Sequence, residues 1–184
     1  VVSSPGGTST EGTTTGTTGS DTGFYEVTDG LEAVFVEVPV NWADLDGEMW
    51  ESNWGTLHFK AASIAAAPDI DAFYSSFEAP GVNFAASEDW GDIGGYVQLL
   101  DATRTWYQDS CDLEGRYDYE DVAFEGKYDL WECGDTAVVV LSSRPISDPL
   151  AYLTLLQAQM DANTDIAVFE QILATFDVVG ANLP

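Results

Sequence analysis

The chain has 184 residues, enough for one domain of ordinary size with or without a tail. It carries 32 Asp and Glu against five Lys and Arg, a formal charge of −27. That balance argues against a nucleic-acid partner, which needs a basic patch for its phosphates, and against an anionic membrane surface. Such a chain repels itself and salt screens the repulsion, so the composition suits a secreted protein with an acidic surface, in a saline setting or otherwise. No apolar run reaches the roughly 18 residues that a membrane-spanning helix needs. Val1 is not a start methionine, and no basic stretch leads into an apolar one. The chain therefore reads as a mature product or an excised fragment.

Residues 1–22, VVSSPGGTSTEGTTTGTTGSDT, are rich in Thr, Gly and Ser and almost free of apolar side chains after Val2. Such a segment buries too little to offset its ordering entropy, so it reads as a linker or tail. Thr13, Thr14, Thr15, Thr17 and Thr18 are candidate O-glycosylation sites. Val1-Val2 is a candidate donor segment for a neighbour's sheet edge.

From Gly23 the pattern becomes globular, and residues 23–180 read as one domain with 181–184 as a C-terminal tail. Phe24 to Val27 is a short strand, closed by the turn pair Asp29-Gly30. Leu31 to Val38 alternates: Leu31, Ala33 and Phe35 on one face, Val34, Val36 and Val38 on the other. Together they predict a hairpin ended by Pro39 and Asn41. Residues 42–54, WADLDGEMWESNW, read as a structured loop. Gly55 to Ile64 alternates as a strand. Pro68-Asp69 opens a helix whose Ile70, Phe73, Tyr74 and Phe77 form one stripe. Val82 to Ser87 is a strand. A second helix, capped by Asp89 or Asp92, runs to about Tyr107, with Gly94-Gly95 weakening its first turn.

Asp121 to Cys133 reads as one long strand, bent near Gly126. Thr136 to Ser143 is a continuous apolar run and so a central strand. SRPISDP then turns into Leu150–Met160. A last helix, capped by Asn163 or Thr164, buries Ile166, Phe169, Ile172, Leu173 and Phe176. Most neighbouring strands are joined by turns. The expected fold is α+β, a largely antiparallel sheet flanked by helices.

Several segments together carry a family resemblance. IAAAPDIDAFYSSFEAPGVNFAAS at 64–87 is similar to secreted actinobacterial accessory domains found with trypsin-like serine proteases and in lipoproteins. So are Cys111, Tyr119, FEGKYDLWEC at 124–133, VVVLSSRP, and ILATF at 172–176. The resemblance covers about residues 24–177. It implies a Mog1/PsbP-like α/β/α sandwich acting as a non-catalytic interaction module. The protease signature GDSGGP does not occur.

Cys111 and Cys133, the chain's two cysteines, lie 22 positions apart. In a secreted acidic chain this pair reads as a disulfide, worth about 3 kcal/mol in the loop-entropy model. A zinc site lacks further ligands, and Asp112, Glu132 and Asp135 would disfavour a thiolate. His58, the one histidine, sits mid-strand beside Lys60, with no sign of a catalytic triad. Paired carboxylates carry no specificity in so acidic a chain. Asp44, Asp46 and Glu48 faintly resemble a calcium loop but lack its first and last ligands. Asp112, Glu114, Asp118, Glu120 and Asp121 are dense enough for a weak cation site. GDIGGY at 91–96 is not a phosphate-cradling loop.

Trp42, Trp50 and Trp54, with Trp90 and Trp106, are either core residues or an aromatic platform for sugars. No cofactor and no catalytic residue is expected. The leading expectation is an extracellular or surface-tethered interaction domain with a protein partner or a second copy. The alternatives are a self-assembling structural subunit ordered through its N-terminal tail, and a glycan-binding module.

Overall fold

The computed structural model describes residues 23–55, 57–161 and 166–184. The Thr-rich segment, its glycosylation candidates, Val1-Val2 and the helix caps Asn163 and Thr164 lie outside the described residues. The rest is α+β with a mostly antiparallel sheet, as the alternation of apolar residues implies.

A hairpin of β1 (Phe24–Thr28) and β2 (Val34–Pro39) opens the domain. Its loop is organised by Asp29, whose Oδ1 accepts from the backbone N–H of Ala33 at 2.7 Å and of Val34 at 3.0 Å. That buried carboxylate fixes which face of β2 turns inward: Val34, Val36 and Val38 are buried, while Leu31 is exposed.

The segment expected to be a loop, 42–54, instead supplies two edge strands. β3 (Asp44–Asp46) and β4 (Trp50–Trp54) both pair with β5 (Leu57–Ala67). The period of two in Trp50, Ser52 and Trp54, with Glu51 and Asn53 between them, is the strand signal in that stretch. Helix α1 (Ile70–Ser75) follows, with Asp69 Oδ1 accepting from Ala72 N at 2.9 Å as its N-cap. It ends well before Pro80, so Phe77 leaves the helical stripe and lies in the loop beyond.

β6 (Gly81–Ser87) leads to a 3-10 helix at Asp89–Ile93 and then α2 (Tyr96–Thr103). Gly94 and Gly95 have φ of 111° and 132°, so they break the expected helix in two rather than merely weakening it. Asp89 does not cap α2; its Oδ2 accepts from Lys60 N at 3.0 Å and so ties the 3-10 helix to β5. A second 3-10 turn, Arg104–Trp106, leaves α2.

The stretch before Asp121 is a strand, β7 (Asp112–Glu120), paired with β8 (Phe124–Cys133). The turn between them is set by Asp121, whose Oδ1 accepts from Ala123 N at 2.7 Å and Phe124 N at 2.6 Å. The irregularity expected at Gly126 falls instead between Leu113 and Gly115. Gly126 has a different cause: a Cβ there would sit 2.7 Å from Ser143 Cα and press on the Ser142 carbonyl oxygen. β9 (Thr136–Pro145), β10 (Leu153–Met160), α3 (Ile166–Thr175) and the short β11 (Asp177–Val178) complete the described chain.

The strands form an eight-stranded antiparallel sheet in the order β3-β5-β6-β10-β9-β8-β7, with β4 beside β5, and a small sheet β1-β2-β11. One face of the large sheet packs Ile64, Phe84, Leu141 and Leu156 against the small sheet and α3, through Ile172 and Phe176. The other face packs Phe59, Val140 and Leu155 against α2 and the two 3-10 segments, through Trp90, Leu99 and Leu100. Ile166, expected in the buried stripe of α3, is exposed at its first turn. Residues 181–184 are docked: Asn182 Nδ2 donates to Glu32 O at 2.9 Å, and Leu183 packs on the first cluster. Both edges of the large sheet are acidic, with Asp112 and Glu114 on β7 and Asp44 and Glu51 near β5, an arrangement that resists edge pairing.

Candidate functional site

The second face of the large sheet holds a groove of about 410 Å³ between α1 and the segment that leaves α2. That volume lies within the ~300–1,000 Å³ range of small-ligand clefts. Its walls are the rings of Phe73, Tyr74 and Phe77 on one side and Trp106 and Tyr107 on the other. Ser75, Ser76, Ser110 and Gln157 supply its polar groups.

Each wall has a local cause. Phe73 lies flat over Gly81, where any Cβ would strike the ring at 2.8 Å from Cγ. Tyr74 is held from the outside, its hydroxyl donating to Asp46 Oδ2 at 3.0 Å. On the opposite wall, Tyr107 stacks on Trp131 with ring centroids 5.5 Å apart. The Cys111–Cys133 disulfide closes the turn that follows. Cys111 N donates to Tyr107 O at 2.8 Å, so the bridge and the ring wall are one local unit. The disulfide expected from the sequence is thus present, across the open end of the β7–β8 hairpin.

The floor is polar where a sheet core is normally apolar. Asn83 on β6 and Gln157 on β10 are direct cross-strand partners, and Ser63 Oγ donates to Asn83 Oδ1 at 3.2 Å. Tyr107 donates its hydroxyl to Gln157 Oε1 at 2.8 Å. Gln157 Nε2 has no partner among the described residues and borders the groove. A void of about 20 Å³, roomy enough for one water, lies between Asn83 and Gln157 under Trp50 and Trp106. The neighbouring Gln159 is fully buried, donating to Ser76 O at 3.0 Å and so pinning the end of α1. The sequence signal for this floor was available in LTLLQAQM, where glutamines interrupt an otherwise apolar strand at positions 157 and 159. The apolar pattern around them hid it.

Burial pushes the Tyr107 hydroxyl well above its ordinary pKa. Burial, then the Asp46 hydrogen bond, does the same for Tyr74. Both stay neutral donors across the physiological range, so the groove lining carries no charge.

The structure divides the tryptophans expected to act together. Trp42 is 3% exposed and belongs to the opposite core, where its carbonyl accepts from Tyr25 OH at 2.9 Å. Trp50 and Trp54 lie on the groove side and buttress Trp106, with centroids 5.9 Å and 5.6 Å from its ring. Trp54 also stacks on Trp90 at 6.2 Å. The ring presented outward is therefore Trp106, at 40% exposure, with Tyr74 at 53% facing it across the groove.

Of the candidate calcium carboxylates, Asp44 and Asp46 serve as hydrogen-bond acceptors, and Glu48 contributes its backbone N–H. Asp44 Oδ2 accepts from Ile70 N at 2.9 Å, and Asp46 Oδ1 accepts from Glu48 N at 3.1 Å. Asp118 pairs with Lys127, and Asp121 caps its turn. No group of three or more potential ligands converges among the described residues. His58 lies on the other face of β5, 3.1 Å from Glu51 and 3.2 Å from Asn53.

Beside the groove, Asp129 is 1% exposed and receives Arg116 Nε at 2.5 Å and Nη2 at 2.8 Å. Arg104 Nε approaches it at 3.5 Å, and Arg116 also reaches Asp101 at 2.8 Å. The Asp129 hydrogen bond raises the Arg116 pKa further above its usual value, so the guanidinium is always charged. This cluster clamps α2 and the Arg104–Trp106 turn to the sheet.

No protein-family model matches this chain, and comparison with curated proteins finds no match. No helix among the described residues is long and apolar enough to cross a membrane.

Proposed function

We propose that this chain is a non-catalytic extracellular binding module of a secreted bacterial protein, and that its ligand enters the groove between α1 and the Arg104–Trp106 turn. The observation that carries this reading is the lining: ring faces on both walls over an amide floor with an uncommitted donor. The layering of helices on one face and a small sheet with α3 on the other is compatible with a Mog1/PsbP-like sandwich, the arrangement of the accessory domains the sequence resembles. The Cys111–Cys133 bridge favours an oxidising compartment. NMR screening of the full chain against neutral, cationic and anionic fragments tests the reading. Hits should perturb the Trp106 indole and the Gln157 side-chain amide together. A library in which nothing perturbs either at millimolar concentration removes the groove as a binding site.

A second reading, self-assembly, has its own support. Val122 and Ile146 are exposed and border a cleft of about 450 Å³ with Tyr152 and Val178 at one end of the sheet. Light scattering across a salt series tests it, and a constant monomer mass at every concentration would sink it.

A further inference from the structure

We infer that the groove takes an uncharged saccharide chain, one ring lying against the Trp106 indole while a hydroxyl or N-acetyl oxygen accepts from Gln157 Nε2. This rests on reading the groove as a binding site, and it adds the chemical class of the ligand.

Charge decides first. The chain carries −27 overall, yet none of the residues lining the groove is ionised. An anionic ligand would be repelled by the surrounding field, and the lining gives a cation no carboxylate to pair with. A neutral ligand is neither repelled by that field nor left with an unpaired charge, provided that its buried polar groups find partners in the groove.

Ring geometry decides next. Trp106 and Tyr74 show partly exposed faces on opposite walls, and Trp50 and Trp54 pack behind Trp106. A buttressed flat ring suits the apolar face of a pyranose, which buries C–H groups while its hydroxyls point to the rim. Those hydroxyls both donate and accept, and the groove offers both. Gln157 Nε2 is a donor. Ser75 Oγ gives its proton to Asp71 O at 2.7 Å, so its lone pairs are free to accept. The platform differs from the Trp42, Trp50 and Trp54 set suggested by the sequence: one tryptophan presents the surface, two support it, and Trp42 takes no part.

The test is calorimetric titration of the full chain with neutral hexasaccharides (cello-, malto- and chito-oligosaccharide), against oligogalacturonate and the de-acetylated, cationic chitosan hexamer. At least one neutral oligosaccharide should bind with an affinity level across a salt series, oligogalacturonate should bind about tenfold or more weakly, and any chitosan binding should fall away with salt and ignore the groove substitutions, as contact with the acidic surface would. Trp106→Ala and Tyr74→Ala should each weaken neutral-oligosaccharide binding by about tenfold. Gln157→Glu keeps the acceptor for Tyr107 but removes the donor, and should cost about tenfold or more. Tyr74→Ala lies on an exposed face, so it remains informative if Trp106→Ala fails to fold. If fragments or peptides perturb the groove while no neutral oligosaccharide binds, the saccharide inference falls and the binding-module reading stands. Oligosaccharide binding that is indifferent to all three substitutions also overturns it. If no probe of any class reaches the groove, both readings fail.

Discussion

Replacing Asp129 tests the packing logic beside the groove most sharply. Its carboxylate is 1% exposed and accepts two hydrogen bonds from one Arg116 guanidinium. Charge-assisted bonds contribute about 1.5–3 kcal/mol each, and desolvation of the buried acid offsets part of that. Removing one partner of such a pair typically costs about 3–5 kcal/mol, because the other charge is stranded. Here Arg116 keeps Asp101 and is 20% exposed, so the lower end applies. Asp129→Asn should therefore destabilise by about 3 kcal/mol, or roughly 6–12 °C in Tm for a domain of this size. The double replacement Asp129→Leu with Arg116→Met should cost less than Asp129→Leu alone, since the charges it leaves unpaired, Asp101 and Arg104, are both substantially exposed. Urea unfolding followed by tryptophan fluorescence measures all the variants. The reasoning is refuted if Asp129→Asn lies within about 1 kcal/mol of the native chain, or if the double replacement loses the sum of the two singles.

Three further outcomes follow from the same geometry. Gly126→Ala places a methyl against backbone atoms of Ser142 and Ser143, which cannot give way as a side chain would; a loss of about 1–3 kcal/mol or more is expected in urea melts, and an unchanged midpoint would contradict the close approach. Replacing Cys111 and Cys133 with serine should cost about 3 kcal/mol, and hydrogen exchange should speed up first in residues 104–111, where the groove wall is attached to the bridge; uniform acceleration over the chain would count against that coupling. Alkali should unfold the protein from about pH 10 upward. Tyr74, Tyr107 and Tyr119 have raised pKa values in the folded state, chiefly through burial, and Tyr152 is pushed up to about 12. The unfolded chain releases these protons near pH 10, so stability is full below that point and falls as pH rises through the folded values. Tyrosine absorbance near 295 nm and the urea midpoint, read together, check the sign; a midpoint constant to pH 12 would contradict it.

The interior of this fold is legible from the sequence and its edges are not, for a physical reason. β2, β5, β6 and β9 bury one or both faces, so selection for packing writes alternation or apolar runs into them. β7 has a neighbour on one side only, and its DLEGRYDYE has no buried face to leave a trace. It is held by the backbone of β8 and by Arg116 reaching Asp129. β4 does leave a trace, Trp50 and Trp54 on one face, but its polar remainder resembles a loop. The Gly94-Gly95 break shows a different limit: composition reveals two weak helix formers, while only the backbone shows both in positive φ, ending one helix and starting another. The groove floor escaped because its polar residues are sparse. Asn83 and Gln157 are 74 positions apart, and antiparallel pairing of β6 with β10 makes them neighbours.

The proposed binding role has to be reconciled with the charge of the whole chain. Four of its five cationic side chains, Arg104, Arg116, Lys127 and Arg144, are committed to acids within the chain. Its outward field is therefore almost purely negative, and a field of one sign attracts every cation and repels every anion with little regard to structure. Selectivity must come from a place where that field is locally unsupported by charged groups. On the proposed reading the groove is such a place: its rings would set shape, its amide would set the position of one hydrogen bond, and its uncharged lining would make binding there less sensitive to ionic strength than any contact made by the acidic surface. An affinity for groove ligands that stays level from low to high salt, while Tm rises as the surface repulsion is screened, is the combined signature this division of labour requires.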